Sequence, residues 1–128
     1  MRSMTWVAVA VGGAVGSLAR FGVQLAVDRA TGRSAPMATA IVNISGCLII
    51  GLLAGALAAQ RLELSAPMRA FIFIGLLGGF TTFSSFGLDT LLLVQDGRPG
   101  AAAWNVAFQL VMSMTGVFAG YAAAVRTA

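Results

Sequence analysis

The sequence predicts an all-α integral membrane protein built from four transmembrane helices, and three observations carry that prediction. Of its 128 residues, 59% are hydrophobic and 9% charged, with a mean hydropathy of +0.91; a soluble domain carries roughly 25% charged residues. Four apolar stretches each exceed the ~20 residues that a helix needs to cross a ~30 Å hydrocarbon layer. The short segments between them hold nearly all the charge, proline and turn residues. Too few charges remain to coat a water-facing surface, which argues against soluble enzyme folds.

The first span runs over about 4–27 and is interrupted only by Arg20. Its start loosely imitates a signal peptide, with Ser17-Leu18-Ala19 as a cleavage-like site. The apolar run continues through Phe21 to Val27, so the segment is read as a span. The second span, about 37–60, carries no charge and places Thr39 and Asn43 four apart, on one helical face. The third, about 70–94, has Asp89 near its end. It holds Gly78-Gly79-Phe80-Thr81-Thr82-Phe83-Ser84-Ser85-Phe86 in mid-membrane, where paired glycines, β-branched threonines and serines weaken a helix and make a break plausible. The fourth, about 100–125, is uncharged and sets Asn105, Gln109 and Ser113 at steps of four, with Thr115 on a different face. The connectors 28–36, 61–69 and 95–99 are tight, so residues 1–128 are read as a single four-helix membrane domain without internal repeat.

All eight basic residues are arginines, set against Asp28, Glu63, Asp89 and Asp96, giving a net charge of +4. They are spread singly from Arg2 to Arg126 rather than clustered on one face, so they read as anchors at the membrane boundary and not as a nucleic-acid footprint. With one cysteine, Cys47, and no histidine, neither an intrachain disulfide nor a His/Cys metal cluster can form. No paired carboxylates or nucleophile with a base suggest a catalytic residue.

Counted by face, Arg2, Arg61, Arg69 and Arg126 fall with the termini and Arg29, Arg33 and Arg98 opposite, four against three; adding Arg20 to the second face makes four against four. The positive-inside rule then favours neither orientation. Either a further cue fixes orientation, or the chain inserts both ways and pairs as an antiparallel dimer. Glycines four apart, at Gly12/Gly16, Gly51/Gly55 and Gly116/Gly120, are expected to be packing sites.

Polar groups in hydrocarbon need partners or a wet path. The rows on spans two and four therefore read either as interhelical bonds or as a track along which amides and hydroxyls replace the hydration shell of an anion. Phe83 and Phe86, three apart, share a face; they are either packing or a pair of electropositive ring edges able to solvate an anion. Arg20 either lines a vestibule, snorkels to the boundary or pairs with Asp89.

The stretches Gly13-Ala-Val-Gly16-Ser-Leu-Ala-Arg20-Phe21, Val42-Asn43-Ile-Ser-Gly46 and Gly75-Leu-Leu-Gly78-Gly79-Phe-Thr81-Thr82-Phe83-Ser84-Ser85-Phe86 resemble those of the CrcB/Fluc fluoride channel family, over nearly the whole chain. The resemblance implies a fluoride-selective channel of the bacterial inner or plasma membrane, which exports cytoplasmic fluoride passively and so lowers its toxicity. It implies an antiparallel, dual-topology homodimer in the lipid bilayer, with the third helix broken mid-membrane. A structural sodium ion would sit at the dimer centre on backbone carbonyls of Gly78 and Thr81. It also implies a fluoride pore with Asn43 as its amide and Phe83 and Phe86 as its aromatic lining. Thr82, Ser84 and Thr115 would add hydroxyls, and Arg20 is a candidate for the vestibule. The chain departs from the family in carrying Asp89 where Glu is common, and its span-four polar row does not align cleanly with the family's hydroxyls.

Two rival readings are open at this level. A small drug/proton antiporter shares the architecture but needs a titratable group deep in the first span, which is absent. A structural subunit of a larger complex would leave the Phe/Thr/Ser signature without a purpose.

Overall fold

A computed structural model describes residues 2–32 and 35–126; Arg33, counted above, lies outside them. The described residues form an all-helical protein with four stretches long and apolar enough to cross a membrane: Ser3–Thr31, Met37–Ala58, Ala66–Gln95 and Pro99–Arg126. The first, second and fourth are single helices, α1 (Arg2–Thr31), α2 (Met37–Ala58) and α6 (Pro99–Arg126). At 1.5 Å per residue, the 22 residues of α2 reach about 33 Å, enough for the hydrocarbon layer. The helices run a few residues past the expected limits of the spans at most ends, while α2 stops at Ala58.

The third stretch is composite. It begins as α3 (Ala66–Arg69), widens into a π-helical segment (Ala70–Leu76), tightens again as α4 (Leu77–Phe80) and ends as α5 (Phe83–Gln95). Between α4 and α5, Thr81 (φ −80°, ψ 158°) and Thr82 (φ −155°, ψ 118°) are extended. Ser65 caps α3, accepting from the Met68 N–H at 3.4 Å, and Thr82 caps α5, accepting from the Ser85 N–H at 3.1 Å. Gly97, at φ +70°, closes α5 with Gly97 N–H to Val94 O and Arg98 N–H to Leu93 O. Gln60 takes the equivalent left-handed position after α2, at φ +56°.

Packing joins the helices in two pairs, α2 with α6 and α1 with the π-helical segment and α4. The expected glycine pairs do bring backbones together. A β-carbon on Gly12 would lie 2.5 Å from the Phe71 carbonyl oxygen, and one on Gly120 would lie 2.5 Å from that of Leu48. Gly79 is likewise against Gly13, 2.6 Å from its carbonyl oxygen by the same measure. At one end of the bundle, the Arg61 guanidinium donates to the Ala124 carbonyl of α6 at 3.1 Å. Within the most apolar window of each span only 11% to 28% of residues are buried, so most of the helical surface is left for lipid or another chain.

Candidate functional site

The site begins with the two extended residues. Thr82 turns its backbone to α2, where Asn43 meets it as one strand meets another: the Thr82 N–H donates to Asn43 Oδ1 at 2.8 Å, and Asn43 Nδ2 donates to Thr82 O at 3.0 Å. The same Nδ2 donates to Gln109 Oε1 at 3.1 Å. From there the bonds run along one direction. Gln109 Nε2 donates to Asn105 Oδ1 at 2.9 Å, Asn105 Nδ2 to Thr90 Oγ1 at 3.0 Å, and Thr90 Oγ1 to the Phe86 carbonyl at 2.8 Å. α2, α5 and α6 are thus stitched by one uncharged chain of donors, whose members Asn105 and Gln109 are buried. Thr39, Asn43 and Asn105 of the polar rows thus bond to neighbouring helices, while Gln109 also bonds Asn105 along α6.

Asn43, Cys47, Thr82, Phe83, Phe86 and Gln109 line a cavity of about 480 Å³, which also reaches Gly78, Thr81, Ser113 and Met114. The Phe83 and Phe86 rings lie 5.3 Å apart at 52°, in the tilted arrangement that aromatic quadrupoles favour. They share a face as their spacing requires, yet their settings differ. Phe86 is 7% exposed and Phe83 77%, so one ring is core and the other projects from the protomer. Thr82 Oγ1 also contacts Ser84 Oγ at 3.2 Å and donates to Ser85 Oγ at 3.1 Å. Ser84 and Thr115 are exposed, Thr115 on another face of α6 from Asn105 and Gln109.

Gly78 is exposed, and Thr81 donates both its N–H (2.9 Å) and its hydroxyl (2.8 Å) to Leu77 O. The N–H groups that would close α-helical bonds onto the Gly78 and Thr81 carbonyls are engaged elsewhere: Thr82 N–H on Asn43 and Ser85 N–H on the Thr82 hydroxyl. The Gly78 and Thr81 carbonyl oxygens are therefore left without those helical partners, and a backbone carbonyl is the kind of hard, neutral donor that suits an alkali cation. Among the described residues no group of three or more His, Cys, Asp or Glu could hold a metal.

The pairing of Arg20 with Asp89, one of three alternatives read from the sequence, is not made. The Asp89 carboxylate instead accepts from the Thr39 hydroxyl at 2.6 Å, with Thr39 only 2% exposed. Arg20 is half-buried on α1. Cys47, Thr90, Leu110 and Met114 escaped the sequence reading. Cys47 follows Asn43 by one helical turn, so their shared face was legible from spacing. Thr90 follows Phe86 by the same spacing, whereas Leu110 and Met114 are placed by the packing of α6.

Together the fold and the site define a small multi-pass membrane protein whose polar groups within the described spans are mostly amides and hydroxyls, beside Arg20 on α1 and the Asp89 carboxylate. Residues 7–121 match the family described as CrcB-like protein, Camphor Resistance (CrcB). The chain belongs to this family. It is 46% identical over 121 residues to the fluoride-specific ion channel FluC of Rhodospirillum centenum, covering 94% of each chain. To the protein of the same name from Agrobacterium fabrum it is 47% identical over 114 residues, covering 89% of this chain and 90% of that one. To that of Methylobacillus flagellatus it is 45% identical, covering 88% of each.

Proposed function

We propose that this protein is a fluoride-selective ion channel that lets cytoplasmic fluoride leave the cell passively, down its electrochemical gradient. Family membership and 45% to 47% identity to three proteins named as fluoride channels support the activity. It is a channel and not an enzyme. The observation that carries the mechanism is the Asn43 amide, fixed by the Thr82 backbone beside the two phenylalanine rings in one cavity.

Fluoride is small and strongly hydrated, so it crosses hydrocarbon only if each water lost is replaced by a donor of comparable reach. Within the narrow part of the path it must also meet no full positive charge that would trap it. In the proposed pore the Asn43 amide trades its bond to Gln109 for the passing ion, Phe83 and Phe86 supply ring edges, and Thr82, Ser84 and Thr115 hydroxyls. Arg20 gathers anions at the vestibule. The exposure of Phe83, Ser84 and Thr115 fits a pore completed by a second copy, as an antiparallel, dual-topology homodimer with two fluoride paths. In that arrangement the third span is broken at membrane depth, and the Gly78 and Thr81 carbonyls of both subunits hold a structural sodium ion. When bound, the ion would supply a fixed charge holding these backbone carbonyls of the two subunits together.

The test is efflux from liposomes carrying the purified protein, read with a fluoride electrode while potassium and valinomycin set the voltage. The expected result is rapid fluoride release that follows the voltage, without chloride release. A dimeric protein that releases no fluoride would overturn the assignment.

A further inference from the structure

A larger cavity adjoins the site just described, touching it at Asn105. It is a groove of about 750 Å³ between the starts of α2 and α6 and the end of α5, with Met37, Ala40, Leu93, Ala101, Trp104 and Phe108 as its apolar walls and Arg98 at its mouth. Trp104 and Phe108 stack along it, with ring centroids 5.7 Å apart at 22°. A smaller cavity of about 190 Å³ shares Ala35, Pro36, Leu93 and Arg98 with the groove and adds Asp96 and Asp89. The mouth thus presents one guanidinium and, beside it, one exposed carboxylate, both in the connector between α5 and α6.

Length and charge together name an occupant. From Arg98 to Phe108 the chain advances ten residues, about 15 Å along a helix, or half of a ~30 Å hydrocarbon layer. The groove therefore runs from the boundary to the middle of the bilayer and spans one leaflet, which is the reach of an acyl chain. Anionic lipid would satisfy Arg98 alone and meet repulsion at Asp96. A zwitterionic headgroup bearing both phosphate and primary ammonium answers both charges. On α6 the groove residues Ala101, Trp104 and Phe108 turn away from Leu110 and Met114, which face the site cavity. In the proposed dimer the groove consequently stays open to lipid, and this step alone rests on that reading.

We propose that the groove is a specific site for one phosphatidylethanolamine molecule per chain, with an acyl tail along Trp104 and Phe108, its phosphate on Arg98 and its ammonium on Asp96. Phospholipid adducts on the intact detergent-purified protein, titrated with phosphatidylethanolamine or phosphatidylglycerol and counted by native mass spectrometry, test this. One phosphatidylethanolamine per chain is expected, held at least tenfold more tightly than phosphatidylglycerol. Arg98→Gln should lose that retention tenfold or more, and Asp96→Asn should bring the two lipids to parity. Ala101→Phe, which fills the groove while keeping both charges, should abolish the adduct; if that variant does not fold, the two charge variants decide. Equal binding of both lipids to the parent protein, or adducts indifferent to Arg98→Gln and Ala101→Phe, would overturn the site. So would disulfide cross-linking of Ala101→Cys between two copies, which would show the groove covered by protein. Because the readout is lipid retention, its failure is independent of whether fluoride flows.

Discussion

Asn43 is held by three bonds: its oxygen accepts from the Thr82 N–H and its nitrogen donates to Thr82 O and to Gln109 Oε1. Removing it leaves buried groups without partners, at a cost of about 1–3 kcal/mol each. Asn43→Ala is therefore expected to lower the melting temperature as well as flux. Asn43→Asp keeps the acceptor for Thr82 but replaces the donor with negative charge; it should retain more stability than alanine while fluoride efflux falls at least tenfold. Phe83 and Phe86 separate in the same way. Truncating a buried Phe costs about 3–5 kcal/mol, so Phe86→Ala confounds packing with conduction. Phe83 is 77% exposed, so Phe83→Ala should leave the protomer's stability nearly unchanged while abolishing or strongly reducing flux. Unaltered efflux in Phe83→Ala would remove its ring from the pore. The partner of Asp89 was not legible in the sequence, because the choice between Arg20 and Thr39 depends on how α1 and α2 approach α5, which no spacing along one helix encodes.

Among the elements, the four spans were readable because hydropathy and length alone fix them, and the glycine pairs because a missing side chain has one obvious use. The composite third span was less so. Gly78 and Gly79 attract attention as helix breakers, yet both are helical, and Gly79 is used for its close approach to Gly13. The extended backbone falls at Thr81 and Thr82 instead, where the Asn43 amide captures an N–H that the helix would otherwise use. That capture is a tertiary event. Gly79→Leu should accordingly prevent α1 and α4 from meeting and yield no monodisperse protein. Gly22→Leu, on the same helix as Gly13 and with nothing within 4 Å, should be tolerated; size-exclusion profiles of the two distinguish them. Gln60 holds a left-handed conformation that costs a side-chain-bearing residue about 1–2 kcal/mol, offset in part by the chain entropy of glycine. Gln60→Gly should raise thermal stability slightly.

For the whole molecule, the low burial within each span leaves most of the helical surface to lipid or to another chain, and Gly78 lies on that exposed surface with Thr81 half-buried three residues on. If sodium binds their backbone carbonyls in a homodimer, replacing sodium with a large organic cation should speed exchange of fluorescently labelled subunits several-fold, and sodium should restore slow exchange. Exchange indifferent to sodium would remove the ion from the dimer's structure. The arginine tally left orientation undecided for a simple reason: the connectors are so short and so evenly charged that neither face outweighs the other. The donor chain from Asn43 through Gln109 and Asn105 to Thr90 runs one way only. If the proposed pore runs beside that chain, its aligned dipoles pass an anion more readily in one direction than in the other, so a lone path, or two in parallel, would rectify. Two such paths inverted with respect to each other cancel that bias. Recordings from single dimers should then give a current–voltage curve symmetric about the origin, whichever way up each molecule entered the membrane.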